Sequence, residues 1–124
     1  MQTSAGGLRP IRWAGSSLVD LRSFPAPARE AIGYALFVAQ QGQMAPGAKP
    51  LKGIVRGAGV IQITERYAGD TYRTVYTTLV PGVVYVLHAF QKKSPSGVRT
   101  ARHDLALVRA RLRAARAHHG STDP

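Results

Sequence analysis

From Val60 the chain alternates, with Ile61 and Ile63 apolar and Gln62, Thr64 and Arg66 polar between them. A period of two belongs to a strand with one face in a core and one toward water. Ala68-Gly69-Asp70 is a turn signal, and Tyr72–Val80, dense in Tyr, Thr and Val, predicts a second strand. Pro81-Gly82 turns the chain again. The run Val83–Phe90 is almost wholly apolar and predicts a central strand covered on both faces. Three strands joined by short turns make an antiparallel meander.

The N-terminal half carries a different period. Pro10–Trp13 predicts a short first strand, with its proline tolerable at the start or at an edge. Ser17 and Asp20 resemble a capping box for a short helix over Leu18–Ser23, which stops before Phe24-Pro25 because a residue preceding proline avoids the helical region. A second helix starts near Pro27, where a missing N–H costs nothing in the first turn. Ala28, Ile32, Ala35 or Leu36, and Ala39 give it an apolar face, and Gly42 is its natural stop. Gln43–Lys49 reads as a loop. After a polar loop at Ser94–Gly97, Thr100 is the expected cap of a last helix running to about Ala117. In it Ala101, Leu105, Val108, Leu112 and Ala115 form one stripe, and Arg102, Arg109, Arg113 and Arg116 form a second beside it. The organisation expected is a disordered lead-in over 1–9, a single α+β domain over 10–117 and a frayed tail over 118–124.

Charge narrows the function. The 124 residues hold 17 Lys+Arg against 6 Asp+Glu, a formal net charge of +11. That excess concentrates polyanions at the surface and points to nucleic acid or an acidic protein partner. A genome rich in G and C accounts for Arg outnumbering Lys, but not for the scarcity of acids. There is no cysteine, which excludes disulfides, thiolate zinc sites and a cysteine nucleophile. No apolar run approaches the roughly 20 residues of a membrane span, and Met1–Gly7 has no signal core, so a cytoplasmic protein without a membrane partner is expected.

Cleaving RNA through its 2′-hydroxyl requires removal of that proton, charge stabilisation at phosphorus and protonation of the leaving oxygen. Lys, Arg, His and Tyr can supply all three. Arg66 ends one strand and Arg73 begins the next, so both flank the Ala68–Thr71 turn. Lys52 stands on the approach to the sheet, and Lys92 and Lys93 leave the end of the central strand. These five are the candidate catalytic set, against the plainer reading of solvated rim charges. His88, inside an apolar strand, reads first as a hydrogen-bonded core residue and second as an RNA contact. Tyr72 is a candidate for stacking a base, or for filling a sheet face together with Tyr76 and Tyr85. Arg102 and Arg109 head a stripe suited to RNA phosphates, to an acidic partner segment, or simply to solvent. The glycines of Gly53–Gly59 lack the Gly-Lys-Ser/Thr ending of a phosphate loop. No His/Asp/Glu grouping has metal-ligand spacing, so neither metal nor other cofactor is expected.

Several stretches taken in order resemble the RelE/ParE toxin superfamily, and more closely its HigB-like, phage-related branch. They are Trp13 with Gly15-Ser16 and Asp20-Leu21, Phe24-Pro25, Gln41-Gly42, Lys49–Gly53, Tyr72-Arg73 with Tyr76, and the long tract Val84–Ser94 with Gly97 and Thr100. The likeness spans roughly Ile11 to Leu112. It implies a RelE-like fold, with two helices packed on a curved antiparallel sheet and a basic terminal helix. It also implies a type II toxin that cuts mRNA on the ribosome and is neutralised by a cognate antitoxin, typically a helix-turn-helix protein. By position, Arg73 matches the arginine that holds the scissile phosphate, and Lys92 or Lys93 matches the basic residue after the last strand. Lys52 and Arg66 match basic positions around the first meander strand. Gln62 stands where the branch often has glutamate, and the terminal tyrosine of some relatives has no counterpart. Two alternatives share these features: a ParE-like DNA gyrase inhibitor without catalysis, and a non-enzymatic basic module that binds nucleic acid.

Overall fold

The computed structural model describes residues 7–55, 59–92 and 100–122. In chain order the elements are β1 (Ile11–Trp13), α1 (Ser17–Arg22), α2 (Ala26–Gln40), β2 (Lys49–Pro50), β3 (Val60–Tyr67), β4 (Asp70–Thr77), β5 (Val84–Lys92) and α3 (Arg102–Thr122). They form one five-stranded sheet in the order β1-β5-β4-β3-β2. β3, β4 and β5 are the expected antiparallel meander, and β1 joins its side in parallel register, with Ile11 opposite Val84 and Trp13 opposite Val86. The last residue of the expected loop, Lys49, stands opposite Gln62, and Pro50 after it stands opposite Ile61, together a two-residue strand.

Alternation sorts the sheet into two faces. Ile61, Ile63, Tyr72, Tyr76, Val84, Val86 and Ala89 pack against Leu21, Phe24, Ile32 and Leu36 of the first two helices and the bend between them. Val60, Val75 and Leu87 pack on the other face against Val108, Leu112 and Ala115 of α3. Val108 is fully buried and Leu112 nearly so, and burying side chains of this size stabilises by about 1.5–3 kcal/mol each. β5 is therefore covered on both sides, as its apolar sequence predicts.

Both expected helix caps change. Ser17 is buried and donates to the Val86 carbonyl, while Ser16 precedes α1 and its hydroxyl donates to the Asp20 carboxylate at 2.7 Å. Thr100 does not cap α3, because its Oγ1 donates to Gln62 Oε1 at 2.8 Å, and the first helical bond runs from the Leu105 N–H to the Ala101 carbonyl. Helical backbone continues to Thr122, past Ala117, and Arg9 in the expected lead-in is tied to Gln40 by its own N–H at 3.0 Å and through its carbonyl at 2.8 Å.

The decisive irregularity lies in β5. Val75 pairs with His88, but the next residue, Tyr76, pairs with Val86, so Leu87 is one residue too many. This bulge turns both Leu87 and His88 toward α3 and shifts the phase of everything after it. Arg111 of α3 reaches the bulge and donates to the Leu87 carbonyl at 2.9 Å.

Candidate functional site

The registers place the candidate side chains in rows across the α3 face. At the open end of the sheet, Arg66, Thr71 and Lys92 stand side by side on β3, β4 and β5. The next row is Thr64, Arg73 and Phe90, and the third is Lys49, Gln62, Val75 and His88. Arg66 and Lys92 each stand opposite Thr71 and diagonal to Arg73, and diagonal neighbours lie about 7–8 Å apart, so the three form one basic cluster at this end of the sheet.

Arg73 is the centre of that cluster. It is only 5% exposed, and its Nη1 donates to Thr100 Oγ1 at 3.3 Å. Thr100 in turn donates to Gln62, so a chain of hydrogen bonds fixes the guanidinium between the sheet and the segment entering α3. Burial, and then repulsion from Arg66, lowers the Arg73 pKa from the ordinary arginine value. A guanidinium remains charged through any such shift. Held this way it is a preorganised anion site that an incoming phosphate would help neutralise.

His88 is buried, and its Nε2 lies 2.7 Å from Asp104 Oδ1 in the first turn of α3. His103 approaches the same oxygen at 3.3 Å from the solvent side. Burial lowers the His88 pKa, opposed by the hydrogen bond and charge of Asp104, lowered further by Arg111 and raised by Asp20. The ring stacks on Phe90 with centroids 4.5 Å apart at 21°. His88 is thus the hydrogen-bonded core histidine of the first reading, and its ring supports Phe90.

Tyr72 is on the opposite face, buried against Phe24 at 4.9 Å. Burial and the Asp70 carboxylate hold its hydroxyl above the ordinary tyrosine value. Lys52 is not brought to the cluster. β2 runs antiparallel to β3, and the Leu51 N–H bonds to the Val60 carbonyl, so Lys52 lies beyond the other end of β3. Val60 to Arg66 spans about 20 Å of strand. Lys49, opposite Gln62, is the basic residue of that segment which shares the face. Arg102 is exposed at the start of α3, and Arg109 is exposed with its Nη2 donating to the Gly53 carbonyl at 2.7 Å. Lys93 and the loop at 94–97 lie outside the described residues.

Sequence reasoning passed over Gln62 as an anchor, Thr100 as its partner, and Asp104. The sequence carries no signal for the last, since the near-continuous apolar run of β5 does not show where its extra residue lies. Among the described residues no group of three His, Asp or Glu is placed to hold a metal ion, and no helix is long and apolar enough to cross a membrane.

Comparison with known proteins gives two findings. The profile of the family described as phage derived protein Gp49-like (DUF891) matches residues 19–113. Among solved structures, the toxin–antitoxin complex RelBE2 from Mycobacterium tuberculosis is 20% identical, with 70% of this chain and 94% of that chain covered at a TM-score of 0.43. No curated protein matches. The family profile covers most of α1, all of α2, the whole meander and the first half of α3, and so the chain belongs to the family described as phage derived protein Gp49-like.

Proposed function

We propose that the protein is the toxin of a type II toxin–antitoxin pair and an endoribonuclease that cuts mRNA on the ribosome. The observation that carries this is the fixed Arg73 guanidinium, flanked by Arg66 and Lys92 on an open face. Arg73 and Arg66 take the charge that builds on the phosphoryl oxygens when a 2′-hydroxyl attacks the adjacent phosphorus. The new P–O bond closes a 2′,3′-cyclic phosphate, and the bond to the 5′-oxygen breaks. Lys92 is the group of this cluster able to exchange a proton with the reacting oxygens, since guanidinium groups do not deprotonate. The chemistry asks for no cofactor. Arg102 and Arg109, exposed on α3, add phosphate contacts with ribosomal RNA or hold an acidic segment of the antitoxin, a helix-turn-helix protein. The protein acts in the cytoplasm, where ribosomes are.

Primer extension on a defined mRNA, translated in a purified system with and without the protein, tests this reading. New cuts at A-site codons that need ribosomes and vanish in Arg73→Ala support it. An intact message from folded protein overturns it and leaves gyrase inhibition as the next assay.

A further inference from the structure

A cleft beside the basic cluster differs in kind from the rest of this surface. β1 pairs only with Val84–Val86, so β5 continues past it as a sheet edge. There an open cleft of about 510 Å³ runs between the end of α1 and the first turn of α3. That lies within the roughly 300–1,000 Å³ of small-ligand sites.

Its charge is inverted. The chain has only 6 acidic residues, yet Asp20 and Asp104 both line this cleft. Asp104 is bonded to the His88 ring at 2.7 Å, and Asp20 lines the same cleft from α1. Such a lining repels a phosphate and accepts N–H donors. The walls are aromatic: Phe24 with Tyr72 on one side, and Phe90 backed by His88 on the other. Flat π-faces combined with carboxylate acceptors suit a nucleobase, which stacks by its plane and donates from its edge.

Phe90 is the cross-strand partner of Arg73, about 5 Å away at Cβ. A base against Phe90 and a phosphate on Arg73 are then neighbouring parts of one strand. We propose that this cleft seats one nucleobase next to the scissile phosphate and selects bases with an exocyclic amine, which offers two N–H donors, over uracil, whose pairing edge offers only one. The proposal rests on the RNA-cleaving reading.

The test is an amide chemical-shift titration of the whole protein with 2′-O-methyl trinucleotides of adenine, cytosine or uracil, which bind but cannot be cleaved. Shifts at Phe90, Gln91, His103 and Asp104 are expected, with the adenine and cytosine oligomers about tenfold tighter than uracil. Asp20→Asn removes that preference, and Phe90→Leu weakens all three oligomers while preserving the fold. Equal affinities in the wild type, a preference that survives Asp20→Asn, shifts confined to Arg66 and Arg73, or no binding would each overturn the base seat. Selective binding here without any cut on ribosomes would leave the seat standing and sink the cleavage reading instead.

Discussion

His88 Nε2 lies 2.7 Å from Asp104 Oδ1, joining the bulged centre of β5 to the first turn of α3. The pair is buried, and the carboxylate also sits where a helix N-terminus favours negative charge. Asp104→Ala leaves the imidazole without its acceptor, at a cost of about 1–3 kcal/mol. Thermal unfolding followed by circular dichroism should show a melting temperature lower by several degrees. An unchanged melting temperature would show that the pair contributes nothing to docking α3.

The same pair makes stability depend on pH. Burial holds His88 below its ordinary value of 6.5 in the folded state. Above that value the imidazole is neutral folded and unfolded, and its contribution is fully present. As pH falls below 6.5 the unfolded chain binds a proton that the fold resists, and stability is lost until the folded pKa is passed. Chemical denaturation between pH 7.5 and pH 5, as conditions of roughly this range, should show falling stability. His88→Gln should flatten the slope.

Arg73→Ala removes the fixed cation at the proposed phosphate site, and the rate of mRNA cleavage should fall on the order of 10²–10³-fold. Thr100 keeps its bond to Gln62, so the entry to α3 remains anchored and the fold survives. Arg73→Lys keeps the charge but loses the planar fork, and intermediate rates are expected in the same primer-extension assay. Equal rates for all three proteins would remove Arg73 from the chemistry.

Arg111 donates to the carbonyl of Leu87, the extra residue of β5. Its guanidinium also lies beside Gly15, whose φ is +51° and where an added Cβ would come within 2.7 Å of Nη2 and push the guanidinium aside. Arg111→Met keeps much of the stem but removes the donor, and should cost about 1–3 kcal/mol. Urea unfolding should show a lower midpoint with an unchanged slope. A shift in slope would point to a change in compactness.

Which parts were legible in the sequence follows from what alternation can and cannot encode. Ile61 and Ile63 against Gln62, Thr64 and Arg66 sort the faces of β3 correctly, and with it the side on which Arg66 stands. Arg66 and Arg73 flank a tight turn, so their proximity needs no tertiary knowledge. Val83–Phe90 offers no alternation to read, and the bulge at Leu87 is therefore silent, along with the pairing of His88 and Asp104. Lys52 joins the candidate set by its place on the approach to the sheet and by the resemblance. A two-residue pairing at Lys49 and Pro50 sends it to the opposite end of the sheet. Thr100 has the chemistry of a helix cap, and only the folded sheet brings Gln62 close enough to take its hydroxyl instead.

Arg66 separates positioning from chemistry. It is exposed on the outermost row, beside Thr71 and diagonal to Arg73. Each phosphate neutralised releases counterions, so log K for RNA binding falls with log salt in proportion to the number of contacts, by about 0.7 per contact on a single strand. Arg66→Ala should weaken binding of a single-stranded RNA without regard to sequence and make that slope shallower by roughly one contact. It also relieves the repulsion felt by Arg73, returning the latter toward the ordinary arginine value. Fluorescence anisotropy over a salt series measures the slope directly. A slope equal to that of the unaltered protein would place Arg66 outside the RNA footprint, and the phosphate would then rest on Arg73 and Lys92 alone.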